Sequence, residues 1–182
     1  MSTILVNTIK DTGNNTLLSS DGSGSVTLGV TLPVNSPYWY ADLISGEQSP
    51  VSRATATKVT AWGNINQSSD NAFSGANGRF TVPSGKAGTY VMFGAIDGYF
   101  FDAGNDGNRV YAAIYLNGSL KTATNFQFSS ASLTRTVPVS TYTATLSVGD
   151  YVELWGYVED SAASGTCKFQ GGTTFMGYRI GA

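Results

Sequence analysis

Apolar and polar positions alternate with a period of two over much of the chain, the spacing of strands and not of helices. Tyr38-Trp39-Tyr40-Ala41 reads as a first strand and Ala54 to Trp62 as a second. The same pattern recurs from Arg79 to Val82, Gly88 to Ile96, Arg109 to Leu116, Thr141 to Leu146, Tyr151 to Val158 and Thr173 to Ile180. Gly75, Asn77-Gly78, Asn117-Gly118 and Gly149-Asp150 punctuate these runs as turn residues. Few windows hold the Ala, Leu, Glu and Lys mixture that helices prefer. Closely spaced strands without crossover helices predict an all-β, antiparallel sandwich or jelly roll.

The alternation also carries a second signal. In Tyr151 to Val158 one face holds Val152, Leu154 and Val158, while the other holds Tyr151, Trp155 and Tyr157 around Glu153. In Arg109 to Leu116, Val110, Ala112, Ile114 and Leu116 oppose Tyr111, Ala113 and Tyr115. In Gly88 to Ile96, Val91, Phe93 and Ala95 oppose Tyr90, Met92 and Ile96. A solvated sheet face is normally polar, whereas here both faces are apolar or aromatic. Burial on both sides accounts for this, with a core on one and a neighbouring subunit on the other. The interface candidates are Tyr90, Met92, Tyr111, Tyr115, Trp155, Tyr157, Phe175 and Tyr178. The plainer alternative is a sandwich that exposes some tyrosine.

Residues 1–35 stand apart from 36–182 and contain no aromatic side chain. Val6, Ile9, Leu17, Leu18, Val26, Leu28, Val30 and Leu32 are scattered there among Thr, Ser, Asn and Gly, with a turn signal at Asp21-Gly22-Ser23-Gly24. The segment is too small to close a core. It is either a flexible tail or an arm that orders against a partner.

Composition removes many functions. There are 10 basic and 12 acidic residues for a net charge of −2, no His, and a single Cys, Cys167. One cysteine without histidine builds no zinc site of the usual kind and no intrachain disulfide. Nucleophilic machinery that needs a histidine base is missing. Without a run of Lys or Arg, nucleic acid is not an expected partner. No window approaches a membrane span, so membrane insertion is not expected either. Ten Tyr, nine Phe and three Trp argue against disorder. The apolar run Ile4 to Val6 is too short for a secretory signal and lacks a basic lead. Maturation in the cytoplasm of the producing cell is therefore expected, in keeping with the absence of disulfides.

Candidate chemistry is sparse. Asp97, Asp102 and Asp106 lie in a Gly- and Asn-rich stretch, either a calcium loop or a turn rich in residues that tolerate positive φ. Asp150 with Glu153 is too thin for acid–base catalysis, and Glu159-Asp160 reads as a solvated strand end. Tyr99, Phe100 and Phe101 are three successive aromatics that either stack on sugar rings or plug the end of the sandwich. The receptor-binding loop candidates are Asp97, Tyr99, Phe100, Phe101, Asp102 and Asn105. Cys167 reads as a small buried hydrophobe. The Asn-x-Ser/Thr matches at Asn14, Asn66 and Asn117 are at chance level in such a composition. No catalytic residue, metal or cofactor is expected.

Four motifs in order resemble the C1q/TNF-like domain. Ala72 to Pro83 followed by Ala87-Gly88-Thr89-Tyr90-Val91-Met92-Phe93 is similar to its central signature, with Asn77-Gly78-Arg79-Phe80 a shortened version. Arg109 to Leu116 ending in Asn117-Gly118, Leu146-Ser147-Val148-Gly149-Asp150-Tyr151-Val152-Glu153-Leu154, and the closing Phe175-Met176-Gly177-Tyr178-Arg179-Ile180 complete the resemblance. It implies a ten-stranded jelly roll that trimerises about a three-fold axis and binds through loops, not an enzyme. Animal members carry a signal peptide and usually a collagen stalk. This chain has no Gly-X-Y repeat. Ile4-Leu5-Val6-Asn7-Thr8-Ile9-Lys10-Asp11-Thr12-Gly13 resembles the opening of tail-fibre-like proteins of marine bacteriophages.

The resemblance implies a homotrimeric virion surface protein assembled in the host cytoplasm. Its head, 36–182, would face outward for attachment to host-surface glycan. Its arm, 1–35, would anchor to other virion proteins through Ile4, Val6, Ile9, Leu17 and Leu18. Fully extended, such an arm reaches about 100 Å, too short for a long shaft. A capsid or tail decoration trimer with a stabilising role is the alternative. A cellular lectin or enzyme accessory module is a third class, disfavoured by the expected lack of a signal peptide.

Overall fold

The computed structural model describes residues 7–23, 25–28, 37–44, 46–100, 107–127, 135–160 and 167–181. The chain divides into two compact units, Met1–Val34 and Asn35–Ala182. The first holds β1 (Thr8–Lys10), β2 (Thr16–Ser20) and β3 (Val26–Leu28), an antiparallel sheet in the order β1-β2-β3.

Among its described residues, the second unit is all-β apart from a single short turn of 3-10 helix at Ser69–Asn71. Its strands are β4 (Tyr38–Asp42), β5 (Gln48–Val51), β6 (Thr57–Lys58), β7 (Asn64–Ser68), β8 (Phe73–Ser74), β9 (Arg79–Thr81), β10 (Gly88–Ala95) and β11 (Gly98–Phe100). They continue with β12 (Gly107–Leu116), β13 (Ser119–Gln127), β14 (Arg135–Thr136), β15 (Val139–Leu146), β16 (Tyr151–Asp160), β17 (Cys167–Phe169) and β18 (Thr174–Gly181). A five-stranded sheet runs β15-β10-β18-β4-β7. A six-stranded sheet runs β13-β12-β16-β9-β8, with β6 also paired to β16. A smaller sheet, β14-β11-β17-β5, completes the unit. Every strand pairing among the described residues is antiparallel, and the unit is the expected jelly-roll sandwich.

The core lies between the two larger sheets. Trp39, Tyr90, Met92 and Phe175 enter it from the five-stranded sheet, and Phe80, Val110, Ile114, Val152 and Leu154 from the six-stranded one. Gly177 is required here: a Cβ at that position would sit 2.4 Å from the Trp39 ring, so only glycine lets the indole cross β18. Asn117 and Gly118 both have positive φ, 51° and 76°, as the tight turn from β12 into β13 demands.

The expected strand from Ala54 to Trp62 shrinks to Thr57–Lys58. Ala54 has φ 53°, and Thr57 and Lys58 pair only with Trp155 and Gly156. β16 runs alongside the segment, with Ala54 and Val59 donating to the Val158 and Leu154 carbonyls, but the turn at Ala54 keeps the regular ladder to two residues.

Candidate functional site

The outer face of the five-stranded sheet is the open one. Register places Val91, Tyr178 and Tyr38 in one row across β10, β18 and β4, and Phe93, Met176 and Tyr40 in the next. Residues directly opposed across a ladder share a face. Tyr38 is 41% exposed, Met176 38%, Tyr178 42% and Ile180 47%. None of the residues in these two rows is charged. Tyr38, Tyr40, Met176 and Tyr178 line a groove of about 620 Å³, rimmed by Asn66 and Gln67. On the far side Thr141 and Thr143, exposed on β15, stand opposite Phe93 and Val91. The result is an apolar strip with hydroxyl and amide margins, the composition of a surface made to meet another surface.

The outer face of the six-stranded sheet is different. Tyr111 and Tyr157 are directly opposed and stack with centroids 4.6 Å apart at 11°. Tyr115 stacks on Trp155 at 4.8 Å. Arg109 lies over the Tyr157 ring, its Nη2 donates to the Tyr157 hydroxyl at 2.8 Å, and it pairs with Glu159 at 3.1 Å. Trp155 Nε1 donates to Glu153, which also takes the Lys58 ammonium at 2.9 Å. Arg79 covers Tyr151. Burial beside Tyr115 and Tyr157 pushes the Tyr111 phenol above its usual range. Each stacked pair uses one face of each ring, and Arg109 covers the Tyr157 ring as well.

Four of the eight interface candidates, Tyr111, Tyr115, Trp155 and Tyr157, stack in pairs on this face, three of them still half-buried. Three others are corrected. Tyr90, Met92 and Phe175 have no exposed surface; they are the protomer's own core and touch no second subunit. Only Tyr178 lies on the open strip. Tyr38, Tyr40 and Met176 were missed, although the spacing of Met176, Tyr178 and Ile180 on one strand carried the signal.

The receptor-loop candidates are also redistributed. Asp97 is fully buried: its Oδ2 accepts the Gly172 N–H at 2.8 Å and its own N–H donates to Thr173 Oγ1 at 3.0 Å. Phe100 is buried and so plugs the sandwich. Asp97 and Phe100 are thus structural, not receptor contacts. Tyr99 is half-buried with Lys168 above its ring. Phe101, Asp102 and Asn105 lie outside the described residues, as do Ile4 and Val6. Ile9, Leu17 and Leu18 fall on the three-stranded sheet of the first unit. Cys167 is buried. Among the described residues no group of three His, Cys, Asp or Glu side chains is placed to hold a metal.

No family model matches the chain, and no curated protein matches its sequence. Among solved structures it is similar to the globular domain of zebrafish complement 1qA protein, with 16% identity and a TM-score of 0.51, over 80% of this chain and 98% of that one. The fold is that of a C1q-like head.

Proposed function

We propose that this chain is a non-enzymatic bacteriophage virion protein that works by association, a homotrimer whose head faces outward and whose arm, 1–35, anchors it to the particle. The observation that carries the reading is the uncharged, open strip of Tyr38, Tyr40, Met176 and Tyr178. C1q-like domains commonly form trimers, which supports self-association through such a strip. The tail-fibre-like opening of the sequence supports the virion setting.

Attachment to host-surface glycan is the role proposed for the outward head, through Tyr99 together with Phe101, Asp102 and Asn105. The burial of Asp97 and Phe100 favours the second reading, a decoration trimer that stabilises the capsid or tail.

Light scattering on the purified chain at several concentrations tests the proposal. The expected mass is three times 19.1 kDa, stable on dilution. A strict monomer overturns it. Imaging of labelled particles then separates tail from capsid, and binding of labelled trimer to host cells separates attachment from decoration.

A further inference from the structure

The chain holds two Asn-Gly pairs, Asn77-Gly78 and Asn117-Gly118. In such a pair the asparagine carboxamide and the next backbone nitrogen can react with each other, because glycine has no side chain to hold them apart. The fold puts the two pairs in different surroundings. Asn117 is locked at both ends of its side chain: Oδ1 accepts the Tyr151 N–H at 2.9 Å, and Nδ2 donates to Asp150 Oδ1 at 2.8 Å. Its own N–H donates to the Tyr151 carbonyl at 2.9 Å, and its φ is 51°. Turning its carboxamide carbon onto the Gly118 nitrogen would break both side-chain bonds at once. Asn77 is exposed in the turn between β8 and β9, strands of two and three residues. Its N–H donates to Ser74 Oγ at 3.3 Å, but its carboxamide makes no hydrogen bond among the described residues. The Gly78 N–H is held by a single bond, to the Gly75 carbonyl at 3.1 Å. A short exposed turn of this kind opens at little cost.

We propose that Asn77 is a site of spontaneous deamidation and that Asn117 is protected from it. The Gly78 nitrogen attacks Asn77 Cγ, and a new C–N bond closes a five-membered cyclic imide. The Cγ–Nδ2 bond breaks, and the amide nitrogen leaves as ammonia with the proton that Gly78 gives up. Water then adds to either imide carbonyl and opens the ring to aspartate or isoaspartate. One water is consumed, one ammonia is released, and nothing is oxidised or reduced. Isoaspartate routes the main chain through the former side chain and lengthens it by one carbon. Gly78 has φ 59°, and a Cβ there would lie 2.4 Å from the Val59 carbonyl oxygen, so the backbone at this point is packed against Val59 and has no room to take up the extra length. The shift passes to Arg79, which lies over the Tyr151 ring, and to Phe80, which is stacked on Trp39 between the two sheets. Conversion of Asn77 therefore loosens the core from an exposed turn.

The test uses the full-length chain, aged at mildly alkaline pH and body temperature either folded or unfolded in guanidinium chloride, then digested with trypsin and weighed by mass spectrometry. Cleavage after Lys58 and Arg79 releases Asn77 in one peptide, and cleavage after Arg109 and Lys121 releases Asn117 in another. From the folded chain the first peptide is expected to gain one mass unit, located at Asn77 by fragmentation, while the second stays unchanged. From the unfolded chain both are expected to gain it at similar rates, since neither asparagine then has a partner. The aged folded chain should melt at a lower temperature than fresh chain, and Asn77→Gln aged alongside it should keep its melting temperature. An Asn77 that stays unchanged in the folded chain, or an Asn117 that converts there as fast, overturns the proposal. Conversion of Asn77 without any loss of melting temperature overturns its effect on the core.

Discussion

Trp39 lies flat on Phe80, with ring centroids 4.0 Å apart and planes 14° from parallel. Trp39 belongs to the five-stranded sheet and Phe80 to the six-stranded one, so this pair joins the two layers. Phe175 meets the same indole edge-on at 5.5 Å. Phe80→Ala should cost about 3–5 kcal/mol by opening a cavity at this junction. Gly177→Ala should cost about 1–3 kcal/mol by driving a methyl group into the indole. Urea unfolding followed by tryptophan fluorescence measures both, and a loss below about 1 kcal/mol for Phe80→Ala would contradict this account of the core.

The open strip predicts which substitutions separate subunits. Met176→Lys together with Tyr178→Lys should lower the mass in solution to that of a single chain while leaving the far-ultraviolet circular dichroism unchanged. Tyr111→Ser, on the outer face of the six-stranded sheet, should leave the mass alone. The opposite outcome would move the interface to the six-stranded sheet.

The ring ladder predicts coupling. In a double-mutant cycle, Tyr111→Ala and Tyr157→Ala should show about 0.5–1.5 kcal/mol of interaction energy beyond additivity. Additive losses would mean that the two rings stack without mutual stabilisation.

Tyr90 supplies a pH signature. Burial pushes its phenol up to about 12, and its hydroxyl donates to the Lys86 carbonyl. An unfolded tyrosine ionises near 10, so between about pH 10 and 12 the unfolded chain releases a proton that the folded chain keeps. The stability linked to Tyr90 is therefore complete below about pH 10 and is lost as pH rises toward 12, by up to about 1.4 kcal/mol per pH unit. Tyr90→Phe should flatten that alkaline slope in urea titrations. An unchanged slope would assign it to other tyrosines, Tyr111 first, whose phenol is raised by burial as well.

Asp97 is predicted to hold structure, not calcium. Asp97→Ala orphans the Gly172 N–H and should cost about 1–3 kcal/mol, equally with and without added calcium. A calcium-dependent melting temperature in the unmodified chain, abolished by this substitution, would contradict the assignment.

The long central strands could be read directly. Gly88–Ala95, Tyr151–Asp160 and Thr174–Gly181 stand where unbroken alternation put them. Shorter or more polar strands were not legible. Ser119–Gln127 is exposed along most of its length and held by its ladder to β12, so it has no apolar face to announce it. Gln48–Val51 and Cys167–Phe169 pair with each other over a few residues, which is a tertiary fact with little local signal. In the candidate site, Tyr178 lies on the open strip, whereas Tyr90, Met92 and Phe175 face the core, a choice of side that alternation alone leaves open.

By itself, the order of residues along this chain determined an antiparallel, all-β class, its main turns, and a surplus of apolar faces beyond what one core requires. Period-two alternation and turn residues such as Asn117-Gly118 act over a few neighbouring residues, so they survive in a one-dimensional reading. Only the tertiary structure decided which face of each strand turns inward. When both faces of a strand are apolar, local pattern is symmetric under exchange of faces, and the choice falls to distant partners: Trp39 against Phe80 draws one side of β4 into the core, and Tyr38 and Tyr40 are left beside Met176 and Tyr178 on the open strip. On the other sheet, register between β12 and β16 set ring against ring, an arrangement that alternation within one strand does not announce.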